Sequence, residues 1–339
     1  MNTLLTRDQF REQVFERDKH KCVFCDEPAV DAHHIIERRL WPDGGYYLNN
    51  GASVCGKHHI ECEQTLLSVE QVREACGITK PVIPPHLYSD VIYDKWGNII
   101  LENGSRLRGD LFYDESVQKI LQPVINSFIR YIKHPRTYHL PWSPGLTKDD
   151  RVMPSTEGFE GQRVIVTEKM DGENTTGYSD GYIHARSVDS RNHSSRNWVK
   201  SFLSDRLYEL PDGWRICGEN VFAEHSIPYH LLDSYFLGFS LWNDKNVCLS
   251  WDETLEYFSL LDITPVRVLY DGIWIEKEIK ALYKDNMWST CEGYVVRTAN
   301  SFEYKDFRRC VGKFVRQSHV QTVKHWMHGQ PIVQNKLNK

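Results

Sequence analysis

The chain has 339 residues, 40% hydrophobic and 26% charged, with a formal net charge of −5. That length admits two domains, or one large domain with an accessory module. The missing positive field leaves any nucleic-acid binding to local patches, and no apolar run approaches the roughly 18 residues of a bilayer-spanning helix. The N-terminus lacks a secretory apolar core, so the nine cysteines read as reduced thiols and metal ligands in a cytoplasmic protein with no membrane partner.

Residues 6–17 read as a helix, with Thr6 and Gln9 as a capping box and Phe10, Val14 and Phe15 on one face. Cysteines and histidines crowd into 22–62. Ser68 with Gln71 opens a second capped helix that ends near Gly77. Residues 81–110, rich in Pro and Gly, read as loops and short hairpins, and 114–133 as a helix. A Pro-rich tract at 134–145 follows. The expected organisation is a module at 1–80, a connector at 81–150 and a larger domain at 151–339. In that domain short strands are expected at 164–166, 175–178, 182–184, 215–218, 235–242, 247–251, 294–297 and 311–315, with helices at 252–261 and 276–283 and a closing helix within 319–328. This order predicts an α+β fold with antiparallel sheets.

Cys22 and Cys25, followed by Cys55 and His58, have the spacing of a structural zinc site, two close pairs completing one tetrahedron. His59 and Cys62 compete with His58 for the fourth place. Between the pairs lie His33, His34 and Asn50. The stretch from about 15 to 65 resembles the HNH endonuclease family, a zinc-stapled ββα-metal (treble-clef-like) module. The resemblance implies that His33 or His34 serves as a general base, Asn50 orients it and His59 binds a catalytic cation. The family's cysteine before the last histidine is replaced here by His58. Either cutting or plain nucleic-acid docking fits this module. Arg38 and Arg39, beside Trp41, Tyr46 and Tyr47, suit phosphate contact and base stacking, and equally a solvated rim.

The segment Glu168-Lys169-Met170-Asp171-Gly172 closes the apolar run 164–166. Alone it reads as a hairpin turn, since Asp-Gly is a common turn dipeptide. A lysine so placed becomes a nucleophile only when its amine is held deprotonated beside its target. Downstream, in order, come Arg186 after a hairpin, Gly218-Glu219, the aromatic strand with Phe239, the run Glu292-Gly293-Tyr294-Val295-Val296-Arg297, and Lys313 with Arg316. A Ser-His-Asp hydrolase built on 187–195 lacks a nucleophile-elbow pattern.

This ordered set, over about 160–317, resembles the covalent nucleotidyltransferases: ATP-dependent DNA and RNA ligases and capping enzymes, with an ATP-grasp-like core. The Glu-Gly-x-Val-x-Arg run and the short basic ending look most like the RNA ligase branch. The resemblance implies that Lys169 attacks the α-phosphate of ATP and becomes lysyl-AMP. It implies that Glu168 meets the adenine edge within the Asp171-Gly172 motif, Arg186 contacts ribose or phosphate, and Glu219 holds ribose or a metal-bound water. Phe239 stacks on adenine, Glu292 organises Mg2+ or Mn2+, and Lys313, Arg297 and Arg316 supply positive charge. Lys313 and the cation are expected to lower the pKa of Lys169. The reading is an ATP-dependent ligase joining RNA 5′-phosphate and 3′-hydroxyl ends, with ATP, Mg2+ and Zn2+ as cofactors. The alternatives are a DNA or mixed-nick ligase, a bifunctional nuclease-ligase, and a zinc-containing nucleic-acid-binding protein with an inactive transferase core.

Overall fold

The computed structural model describes residues 3–190, 192–283, 291–317 and 332–338. The closing helix expected within 319–328 lies outside them. The chain divides into two compact units, Met1–Tyr131 and Ile132–Lys339, and the division falls inside the 81–150 stretch.

In the first unit, helix α1 (Arg7–Arg17) starts at the Thr6–Gln9 capping box and buries Phe10 and Val14. Strands β1 (Asp31–His34) and β2 (Gly51–Val54) pair antiparallel, His33 opposite Ala52. Helix α2 (Gly56–Glu63) begins directly after β2, with Cys55 as its N-cap. Helix α3 (Val69–Ala75) has the expected Ser68–Gln71 box. A short hairpin follows, β3 (Ile99–Ile100) with β4 (Arg106–Leu107). The helix expected over 114–133 is broken. Only α4 (Glu115–Ile120) is α-helical, and Gln122–Ser127 is a 3-10 turn with proline at its start. Pro123 has no N–H to donate and disfavours the α conformation of the residue before it.

The second unit holds two sheets. One has the order β12-β6-β13-β15-β5: β12 (Val268–Ile273), β6 (Arg163–Lys169), β13 (Gly293–Thr298), β15 (Val311–Val315) and β5 (Tyr138–His139). The other has the order β14-β11-β10-β9-β7-β8: β14 (Phe302–Glu303), β11 (Val247–Cys248), β10 (Phe236–Trp242), β9 (Arg215–Asn220), β7 (Glu173–Tyr178) and β8 (Ile183–His184). All pairs within them are antiparallel except β15 with β5. The mixed α+β architecture matches the expectation. Strands β12, β14 and β5 were not expected. β12 is an edge strand with no clean buried–exposed alternation, and β5 is a two-residue strand within the Pro-rich tract.

Side-chain alternation assigns the cores. In β6, Val164 and Val166 join the cluster around Tyr294, Phe314 and Trp274. Ile165 points the other way, into the cluster with Leu237 and Trp251 between the sheets. A third cluster lies under helices α5 (Asn197–Leu207) and α6 (Trp251–Leu260), with Leu203, Phe236 and Phe258. Helices α7 (Glu276–Ala281) and α8 (Phe307–Cys310) complete the unit. The period of two therefore sends Thr167 and Lys169 to the inter-sheet side.

Candidate active site

Strand register brings the candidate residues together. Lys169 ends β6 opposite Gly293, so Glu292 arrives beside it, and the Lys169 amine donates to Glu292 Oε2. Lys313 lies opposite Val295, which lies opposite Thr167, so Lys313 and Lys169 share one sheet face. Glu219 comes from β9 of the other sheet, opposite Leu237. Glycine is required where these strands crowd. A Cβ on Gly293 would stand 1.9 Å from the Phe314 carbonyl oxygen, and one on Gly172 would stand 2.6 Å from that of Asn220. These approaches account for the glycine after Glu292 and the glycine after Asp171.

The face so defined lines a cavity of about 890 Å³, shared by Lys169, Asp171, Arg186, Glu219, Glu292 and Lys313. That is a size that encloses a nucleotide-like ligand. Phe239 reaches the same cavity through a β-bulge, since the β10–β9 register shifts between Gly238 and Ser240. A bulge re-aims side chains, and here Phe239 and Ser240 both line the cavity. The Phe239 ring is met edge-on by His134, with ring centroids 5.3 Å apart. Arg297 is buried on the cavity wall. It donates to the carbonyls of Leu249 (2.7 Å) and Thr298 (3.0 Å), while its Nη1 has no protein partner among the described residues.

Two expected residues take other partners. Glu168 lines the cavity beside Lys169, and its Oε2 lies 3.3 Å from Arg267 Nε. Arg316 is absent from the cavity wall and donates instead to the Cys291 carbonyl at 2.8 Å, while its backbone N–H meets the Glu292 carbonyl at 3.1 Å. It braces the segment that carries Glu292. Pattern reading also missed several contributors. Asp150 Oδ1 lies 3.4 Å from Lys313 Nζ and 3.3 Å from His139 Nε2. His139 Nδ1 is bonded to Ser143 Oγ at 2.8 Å, and that hydroxyl accepts from the Val315 N–H at 2.9 Å. Glu173 binds Arg196 with two hydrogen bonds. Asp171 Oδ2 accepts from the N–H groups of Ser226 (2.8 Å) and Ile227 (2.9 Å), and the Tyr229 hydroxyl accepts from the Asp171 N–H at 2.8 Å. Most of these partners come from connectors and loops, and Glu173 and His139 sit at the ends of strands, where no local periodicity marks them.

The electrostatics are those of crowded carboxylates. Burial, with Glu292, Asp171 and Glu173 nearby, pushes the Glu219 carboxyl up to about 8 against the pull of Lys169. Burial opposes the Lys169 ammonium, yet Glu292, Glu219 and Asp171 outweigh it and raise its pKa. The expected lowering is therefore not a property of the protein alone, because the carboxylates keep the amine charged. Burial and Lys169 lower the pKa of Lys313, against the opposing pull of Asp150.

In the first unit, Cys22, Cys25, Cys55 and His58 offer ligand atoms within 4.8 Å of one another. His58 Nδ1 lies 3.3, 3.6 and 3.2 Å from the sulfurs of Cys22, Cys25 and Cys55, and the last two sulfurs are 3.9 Å apart. Tetrahedral zinc, with Zn–S of about 2.3 Å and Zn–N of about 2.0 Å, has ligand edges of about 3.5 to 3.8 Å. The set fits such an ion. Cys55 and His58 stand three apart at the start of α2, on one side of the helix. His59 and Cys62 go elsewhere. Cys62 is buried in the core with Val54 and Val69. His59 Nε2 lies 3.3 Å from Asp31 and 3.4 Å from Glu63.

His33 Nδ1 also approaches Glu63, at 3.4 Å, and His33, His59 and Glu63 form a second cluster. Lys95 enters it, its Nζ 3.1 Å from Glu63 and 2.9 Å from the His34 carbonyl. The His34 ring stacks on Phe10 at 4.6 Å. Asn50 is buried with its amide spent on the backbone of Ile36 and Gly45.

The family model for RNA ligase matches residues 162–315. Among solved structures, a mutant Naegleria gruberi RNA ligase with ATP and Mn is 15% identical, over 56% of this chain and 57% of that chain, with a TM-score of 0.38. An archaeal ATP-dependent RNA ligase (form 1) is 20% identical, over 56% of this chain and 50% of that one, with a TM-score of 0.41. The Naegleria gruberi RNA ligase with PPi is 18% identical, over 61% and 68%, at 0.38. The chain thus spans little more than half the length of the first two. No curated protein matches.

Proposed function

We propose that this chain is an ATP-dependent RNA ligase. The observation that carries the reading is the coincidence of the RNA ligase family match at 162–315 with one cavity lined by Lys169, Glu219, Glu292 and Lys313. The Lys169 amine attacks the α-phosphorus of ATP, a P–N bond forms, and pyrophosphate leaves. The RNA 5′-phosphate then takes the AMP, which frees Lys169. A 3′-hydroxyl attacks that phosphorus, the phosphodiester closes and AMP departs. Such transfers need positioning and charge neutralisation more than covalent chemistry. Lys169 is the nucleophile. Lys313 and the open Nη1 of Arg297 meet phosphate or ribose oxygens, Arg186 stands at the exposed rim, and Phe239 offers an aromatic surface to adenine.

Glu219 and Glu292 suit a divalent cation, because their crowding with Asp171 leaves a carboxyl protonated near neutral pH for want of positive charge. Mg2+ or Mn2+ bound there would neutralise phosphate charge and weaken the grip of the carboxylates on Lys169.

Zinc held by Cys22, Cys25, Cys55 and His58 staples the front module, which in this reading docks RNA, with 81–150 as the connector to the ligase core. Docking is favoured over cutting by Lys95, whose ammonium already supplies a positive charge to the His33–His59–Glu63 cluster. Among the described residues no helix is long and apolar enough to cross a membrane. Reduced thiols and zinc ligands suit a cytoplasmic address.

The test is incubation with ATP labelled in the α-phosphate, with Mg2+ and with Mn2+. The expected outcome is covalently labelled protein, lost in Lys169→Ala. Unlabelled wild type under both ions would overturn the reading. Comparing 3′-ribose with 3′-deoxyribose acceptors separates RNA ligase from DNA or mixed-nick ligase.

A further inference from the structure

Residues 333–338 lie well past the end of the 162–315 match, yet they are bonded to a loop whose His225 and Ser226 line the cavity. They run along the loop 221–232. Glu224 N–H donates to the Val333 carbonyl (2.8 Å), Asn335 N–H to Phe222 (3.0 Å) and Lys336 N–H to Tyr229 (2.9 Å). Leu232 N–H donates to the Lys336 carbonyl (3.0 Å), and Asn338 N–H returns to Leu232 (2.7 Å).

Asn335 is only 2% exposed, and its side chain is fully used. Its Oδ1 accepts from Tyr229 N–H at 2.8 Å, and its Nδ2 donates to the carbonyls of Val221 (2.8 Å) and Ala223 (3.3 Å). A primary amide is the side group that joins one acceptor to two donors in this way. An irregular buried loop has backbone groups that no sheet or helix satisfies, and such groups need partners. Tyr235 completes the clasp. Its hydroxyl donates to the Asn335 carbonyl at 2.9 Å and accepts from Gln334 Nε2 at 2.7 Å.

The same loop holds Asp171. Ser226 and Ile227 donate to its carboxylate, and the Tyr229 hydroxyl receives its N–H. Asp171 is two residues from Lys169 and shares its cavity. We infer that residues 333–338 act as a strap that positions the Lys169–Asp171 segment through the loop 221–232, with Asn335 as the positioning residue. The loop hangs on Asn335, and Asp171 hangs on the loop. The part that concerns adenylylation rests on the proposed ligase reading, whereas the strap's hold on the loop does not.

Both halves are read in the full-length protein. In Asn335→Ala, hydrogen exchange at the Ser226 and Ile227 amides speeds up by about tenfold or more, as expected when local opening becomes easier. Lysyl-AMP formation from labelled ATP slows by about the same factor, while zinc content and exchange in α1 stay as in wild type. Tyr235→Phe, which removes the clasp hydroxyl but keeps the ring, shifts both readouts in the same direction by a smaller factor. It serves as the test variant if Asn335→Ala does not fold. Unchanged exchange at 226 and 227 in a folded variant overturns the strap. So does faster loop exchange with an unaltered adenylylation rate. A wild type that takes no label counts against the ligase reading, and the exchange result then decides the strap by itself.

Discussion

Glu219→Gln is the most informative single perturbation of the cavity. The wild-type carboxyl is pushed from an ordinary 4.5 up to about 8, with burial the largest cause and the neighbouring carboxylates adding to it. A raised carboxyl favours the folded state fully below the unfolded pKa, and that advantage is lost as pH rises toward the folded one. Each pH unit in that window costs about 1.4 kcal/mol, so the interval from 4.5 to about 8 amounts to about 5 kcal/mol. This is a ceiling, since Glu219 is partly exposed and water relieves some of the penalty. Glutamine keeps the shape and removes the titration. The variant is therefore expected to match wild type at pH 4.5 and to exceed it by up to about 5 kcal/mol at pH 9. Urea denaturation followed by tryptophan fluorescence at pH 5, 7 and 9 measures the difference. Added Mg2+ narrows the gap at pH 9, because a cation stabilises only the ionised wild type. On the proposed ligase reading the same substitution is expected to lower lysyl-AMP formation, so that stability and activity move in opposite directions. A difference that does not change with pH, or a variant less stable than wild type at pH 9, refutes the reasoning.

The zinc set predicts one zinc per chain by atomic absorption, and Cys55→Ser is expected to lose the metal and melt the first unit early, since structural zinc contributes folding energy directly. Asp150→Asn removes the carboxylate that supports the Lys313 ammonium. The alkaline limb of the adenylylation pH profile should then shift to lower pH, and an identical profile would discard the role given to Asp150. Docking without cutting predicts no Mg2+- or Mn2+-dependent cleavage of RNA or DNA. Cleavage that vanishes in a His33→Ala/His34→Ala double variant would restore the nuclease alternative.

Local chemistry was legible in the sequence. Both capping boxes, Thr6–Gln9 and Ser68–Gln71, form because their partners lie three residues apart and need nothing distant. Spacing alone also singled out Cys22, Cys25, Cys55 and His58, but not which neighbour stays out. The helix start at Cys55 does that, turning His59 toward Glu63 and Cys62 into the core. The helix expected over 114–133 stops before Pro123, which lacks the N–H that the helix ladder needs.

In the larger unit, residue types and order picked out Lys169, Glu219, Glu292 and Lys313, while strand register put Lys169 and Lys313 on one sheet face with Glu292 beside Lys169, and Glu219 reaches the same cavity from the other sheet. Tertiary packing also paired Glu168 on the cavity wall with Arg267, and it gave Arg316 a bracing place behind Glu292. Asp150 and Asn335 had no signature at all, since a loop residue's partner is chosen by tertiary proximity and not by spacing. What the sequence by itself determined was the chemical inventory and the local elements, both set by interactions a few residues long. What only the tertiary structure decided was which charges face each other, because a cavity's electrostatics depend on burial and on contacts between strands far apart in the chain.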